Sequence, residues 1–128
     1  MKYAVIDVGS NTVRLCVYDV LCPEKRKFKT IMNRKIMAGL AAYIVDGAFS
    51  DEGIAEAILA VKKCIKRASY LSPDRIDVFA TAVLRNISNS AQAIAAIEQG
   101  AGCTISLLSN ADEAHLGFVG ASSRGTLD

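Results

Sequence analysis

The chain has 128 residues, 52% of them hydrophobic, and a formal net charge of +2. That length and composition suit a single domain with one core, and the small net charge gives no basis for general nucleic-acid binding. No uncharged apolar stretch approaches the ~18 residues of a membrane span, and no charged leader precedes an apolar segment and cleavage site, so a cytoplasmic protein without a membrane partner is expected.

In chain order, residues 2–8 and 12–19 read as two antiparallel strands, with Val13, Leu15 and Val17 alternating on one face. A turn at Leu21-Cys22-Pro23-Glu24 leads to a third strand over residues 26–36 that closes a meander. Residues 51–69 read as a helix, with Ile54, Ile58, Val61 and Ile65 at helical spacing, Ser50 as its cap, and Asp51 and Glu52 at the positive end of the dipole. Pro73 stops any continuation. Ile76, Val78 and Ala80 alternate as a fourth strand, a helix spans roughly residues 89–99 before Gly100, a fifth strand covers 103–108, and a last helix starts at Ser109. The expected order is β-β-β-α-β-α-β-α in one domain, residues 1–128, with a five-stranded mixed sheet. Short helical connections make the first, fourth and fifth strands parallel.

The turn between the first two strands carries the chemistry. Val5-Ile6-Asp7-Val8-Gly9-Ser10-Asn11-Thr12-Val13 delivers one carboxylate into a tight turn. Gly9 can take a positive φ and lets backbone N–H groups approach an anion, while Ser10, Asn11 and Thr12 add side-chain donors. Asp7 is placed to hold a hydrated divalent cation. The same residue types also make ordinary hairpin turns. Ligands in open α/β sheets bind beyond the carboxyl ends of strands, and there this turn, Thr81 to Arg85 and Ser109 to Glu113 converge.

Three segments resemble one family. Asp7-Val8-Gly9-Ser10-Asn11-Thr12-Val13-Arg14-Leu15 is similar to the first phosphate loop of the exopolyphosphatase and guanosine pentaphosphate phosphatase family. Phe79-Ala80-Thr81-Ala82-Val83-Leu84-Arg85-Asn86-Ile87-Ser88-Asn89 is similar to its Ala-Thr-x-Ala-x-Arg-x-x-x-Asn segment. Leu108-Ser109-Asn110-Ala111-Asp112-Glu113-Ala114-His115-Leu116 is similar to its Ser-Gly-x-Glu-Glu-Ala-x-Leu helix start. The resemblance implies a ribonuclease H-like lobe of the actin-like ATPase superfamily that removes the terminal phosphate from polyphosphate or guanosine pentaphosphate. It also implies Gly9, Ser10, Asn11, Thr12 and Arg85 as phosphate ligands, Mg2+ at Asp7 through water, and a catalytic base at the Glu-Glu-Ala position. Ser109 and Asp112 fit a capping box, which favours Glu113 as the base, with Asp112 as the alternative. Arg14 is supporting only, and His115 reads as structural or exposed.

No second loop of the Asp-x-Gly-Gly-Gly-Ser type occurs, so the chain reads as an N-terminal lobe that needs a C-terminal one. The surface such a lobe would cover favours self-association into a homodimer. Met37-Ala38-Gly39-Leu40-Ala41-Ala42-Tyr43 lacks the acid of the family's Leu-Gly-Glu stretch, which leaves polyphosphate and guanosine pentaphosphate unresolved. Lys25, Arg26, Lys27, Lys29, Arg34 and Lys35 could guide a polyanion, but lysines that protect a sheet edge account for the same run. Cys16, Cys22, Cys64 and Cys103 show no C-x-x-C spacing and read as reduced, mostly buried thiols. Alternative functions are a kinase or activator ATPase of the same superfamily, which would transfer phosphate to an acceptor, and a non-catalytic phosphate or nucleotide sensor.

Overall fold

In the computed structural model, residues 1–22 and 27–107 are described. Strands β1 (Lys2–Val8), β2 (Val13–Cys22) and β3 (Lys27–Ile36) form an antiparallel meander. A 3-10 turn (Leu40–Tyr43) and a short hairpin, β4 (Ile44–Val45) and β5 (Ala48–Phe49), follow. Then come α1 (Asp51–Ser69), β6 (Arg75–Ala80), α2 (Ala82–Arg85), α3 (Ser90–Ala101) and β7 (Ile105–Leu107). The sheet order is β3-β2-β1-β6-β7, with β1, β6 and β7 parallel. This is the mixed five-stranded sheet of a ribonuclease H-like lobe.

Alternation decides which face is dry. Ala4, Ile6 and Val8 of β1, Val13, Leu15 and Val17 of β2, and Val78 and Ala80 of β6 are all buried on one face. The opposite face of β1 carries Tyr3, Val5 and Asp7, each half-buried. The inner face packs against α1, whose start is capped as expected: Ser50 Oγ accepts from the Gly53 N–H at 3.2 Å.

Three readings of the sequence are corrected here. The buried row of α1 is Gly53, Ala57, Ala60, Val61, Cys64 and Ala68, with Ile54, Ile58 and Ile65 half-buried beside it. Spacing of large apolar residues finds the helix but misplaces its centre line, because small residues are what let a helix backbone come close to a sheet. Second, α3 runs through Gly100 and ends at Gly102, which takes the left-handed conformation (φ 71°) while its N–H donates to Glu98 O. Gly100 is small because Ile58 lies on it, 2.5 Å from where a Cβ would sit. Third, Leu21 and Cys22 belong to β2 and not to a turn; Pro23 and Glu24 lie outside the described residues.

Gly53 is packed more tightly than Gly100 is. An added Cβ would stand 2.5 Å from both Tyr43 Cβ and Phe49 Cε1. Tyr43 Cβ is anchored to backbone, whereas Ile58 at Gly100 can swing its chain end. Gly53→Ala is therefore expected to lower stability by about 1–2 kcal/mol after the helix-propensity gain is counted. Gly100→Ala should cost less, and urea denaturation of both variants checks the order.

The cysteines are less buried than expected: only Cys64 of the described side chains is buried, with Cys16 and Cys103 half-exposed. Burial pushes the Cys64 thiol up to about 11 and raises that of Cys103, where Glu98 adds to the effect. Both thiols are protonated at neutral pH, a poor state for a nucleophile. At the start of β1, Tyr3 Oη donates to Asp77, Arg75 Nε donates to the same carboxylate at 2.9 Å, and burial raises the Tyr3 pKa. That cluster fixes the end of β1 and β6 opposite to the one that carries the candidate site. No helix among the described residues is long and apolar enough to cross a membrane.

Candidate functional site

Three strands leave the sheet at one level. Val8 is registered with Ala80, and Ala80 with Leu107, so β1, β6 and β7 end side by side at the carboxyl edge, where the segments that begin at Gly9 and Thr81 leave it. The first two are joined directly. Thr81 donates to Val8 O through both its N–H and its Oγ1, each at 3.3 Å. Thr81 O in turn accepts from the N–H groups of Leu84 and Arg85, so Arg85 stands one helical turn from that junction and is half-buried.

The turn from Gly9 to Thr12 is tight: the Gly9 N–H donates to Thr12 O at 2.9 Å. Gly9 does not take the left-handed conformation expected of it. Its small size matters for another reason, since a Cβ there would meet Thr12 O at 3.2 Å across the turn. Ser10 and Asn11 are exposed and Thr12 is half-buried. Among the described residues, no backbone carbonyl accepts from the N–H groups of Ser10, Asn11 or Thr12. Donors in that state suit an anion.

The turn is held from behind by a segment whose role the sequence did not reveal. Ser10 O accepts from the Ala41 N–H at 2.8 Å, and Asn11 O accepts from the Gly39 N–H at 2.9 Å. Two carbonyls that would repel a phosphate are thereby committed elsewhere. Gly39 adopts φ 59°, ψ 41°, which favours glycine. Leu40, where the resembled stretch has an acid, is fully buried. The signal was a glycine followed by an apolar residue after the third strand, too short to carry a period.

Asp7 sits one residue before the end of β1, on the outer face, with its Oδ1 buried. Arg14 of β2 and Phe79 of β6 flank it in register, and Lys35 of β3 lies beyond Arg14. Among the described residues no three histidine, cysteine, aspartate or glutamate side chains gather to cage a metal. A single carboxylate fits Mg2+, which keeps most of its waters and takes phosphate oxygens for the rest. The structure thus brings together Asp7, Gly9, Ser10, Asn11 and Thr12, with Thr81 and Arg85 alongside. Ser109, Asp112, Glu113 and His115 lie outside the described residues.

Residues 21–126 match the family model of the Ppx/GppA phosphatase family. The chain belongs to that family. Among solved structures, the Ppx/GppA family member of Aquifex aeolicus is similar over 96% of this chain and 40% of its own, at 21% identity and a TM-score of 0.84. An exopolyphosphatase from Cytophaga hutchinsonii is similar over 95% of this chain and 38% of its own, at 25% identity and a TM-score of 0.84. The chain therefore spans about two-fifths of the length of these Ppx/GppA structures.

Proposed function

We propose that the chain is one lobe of a phosphohydrolase that releases the terminal phosphate of a phosphoanhydride, either polyphosphate or guanosine pentaphosphate, by attack of water. The observation that supports it most is the junction of the first two resembled segments at one sheet edge, where Val8 is registered with Ala80 and Thr81 donates twice to Val8 O. The Gly9 to Thr12 turn would bind the terminal phosphate through its N–H groups, with the Ser10, Asn11 and Thr12 side chains adding donors. Arg85 would bind the same group through its planar fork. Asp7 would hold hydrated magnesium, which when bound supplies charge neutralisation on the phosphate oxygens. Glu113 would take the proton of the attacking water as its oxygen bonds to phosphorus and the bridging P–O bond breaks. A second lobe would close over the phosphates and exclude bulk water.

The test is orthophosphate release by a protein in which this lobe is joined to its second lobe. Polyphosphate, guanosine pentaphosphate and ATP are offered in parallel with magnesium, to the parent and to Glu113→Gln. Release from either of the first two, lost in the variant, is the expected result and names the substrate. No release, release indifferent to Glu113, or transfer to an acceptor instead of water overturns the reading.

A further inference from the structure

The charges of α1 are segregated along its length. Its acids, Asp51, Glu52 and Glu56, occupy the first two turns, and its bases, Lys62, Lys63, Lys66 and Arg67, the last two. No acid of the helix has a base three or four residues away, whereas Glu52 and Glu56, Lys62 and Lys66, and Lys63 and Arg67 are like charges four residues apart. Each such pair opposes the helix, and a helix that faced only water would be served by interleaving the signs. Complementarity to the helix dipole explains Asp51 and Glu52 in the first turn and Lys66 and Arg67 in the last. It does not reach Glu56, Lys62 and Lys63. Among the described residues none of these side chains enters an ion pair.

These charges lie along the side of α1 opposite its buried row, in line with two exposed apolar residues, Leu59 (52%) and Tyr70 (72%). Leu59 is the midpoint of the charge pattern. Glu56 and Lys62 lie three residues to either side of it, Glu52 and Lys66 seven, and Asp51 and Arg67 eight. A two-fold axis through Leu59 therefore sets each acid of one helix against a base of a second, antiparallel copy, and Leu59 against its own equivalent.

We infer that the exposed side of α1 is a self-complementary surface on which a second copy of this chain docks antiparallel, with Leu59 on the axis and Glu52 against Lys66, Glu56 against Lys62 and Asp51 against Arg67 across it. This surface is distinct from the carboxyl edge, where a second lobe would close, and its role does not depend on the proposed function. One pair of helices about 28 Å long buries less than a standard interface, so the dimer is weak, with a dissociation constant on the order of 10 µM to 1 mM.

The 128-residue chain is followed by sedimentation equilibrium at about 0.05 M and about 0.5 M salt. Self-association is expected at the lower concentration and should weaken at least about threefold at the higher. Glu52→Lys with Glu56→Lys, and Lys62→Glu with Lys66→Glu, each set like charges opposite one another at four contacts and should weaken self-association at least about tenfold. An equimolar mixture of the two double variants has opposite charges at those four contacts again and should associate as the parent does. Leu59→Lys changes one exposed residue and should abolish association while every surrounding charge is kept. A parent that stays monomeric at about 1 mM in low salt overturns the proposal. So does association that both double variants retain, which would place the contact on another surface, and so does association unchanged in Leu59→Lys. Double variants that are monomeric apart and stay so when mixed, each folded by its urea denaturation curve, overturn the antiparallel register.

Discussion

Leu40→Ala is expected to destabilise the chain by about 2–5 kcal/mol, measured by urea denaturation. Leu40 is fully buried in a turn of only four residues, so the packing around it has few ways to collapse into the space left behind. The N–H groups on either side of it, from Gly39 and Ala41, hold the carbonyls of Asn11 and Ser10. Loss of the Leu40 anchor should therefore loosen the Gly9 to Thr12 turn as well as the core. Phosphate affinity of the folded variant is expected to fall, and Leu40→Met, which conserves volume, should restore most of both properties. A variant that loses stability yet binds phosphate like the parent would show that the 3-10 turn does not set the loop.

The contrast between Leu40 and the strands explains what could be read in the sequence. Val13, Leu15 and Val17 announce a half-buried strand because three alternating positions share one fate, and the structure buries all three. The helix over Asp51–Ser69 was legible to the residue through Ser50, the two acids after it and a long periodic run. The 3-10 turn and the β4–β5 hairpin are two to four residues each, and no period fits in that length. The hairpin did carry a chemical signal, Asp46-Gly47, and both residues take positive φ, 52° and 80°, as a two-residue turn of that kind requires.

For the site, the strand–turn–strand logic around Asp7 was legible because the turn is short and bounded by apolar runs on both sides. The conformation of Gly9 was not, since composition shows that a glycine is needed and not whether the reason is φ or close approach. Its neighbours across space, Gly39 and Ala41, act through backbone N–H groups, which no side-chain pattern can announce.

Asn89→Ala is expected to cost about 2–4 kcal/mol. Asn89 ends the second resembled segment, yet its side-chain amide is engaged by backbone: Oδ1 accepts from the Phe49 N–H at 2.9 Å, and Nδ2 donates to Phe49 O at 3.0 Å. One amide thus satisfies both backbone groups of a residue 40 positions away, while the Ser88 N–H reaches Gly47 O at 2.8 Å. Alanine leaves the two part-buried Phe49 groups without their partners, and each such loss costs about 1–3 kcal/mol before water repairs some of it. Asn89→Asp separates the contributions, because a carboxylate still accepts from the Phe49 N–H but cannot donate and sets its charge against Phe49 O. It should recover at most part of the loss, as read from urea midpoints at pH 7. Full recovery in Asn89→Asp would mean that only the Phe49 N–H bond matters. An asparagine that ends a resembled motif is readily taken for a ligand, whereas here it ties the β4–β5 hairpin to the segment that carries Arg85, and so acts on the candidate site through the framework that positions it.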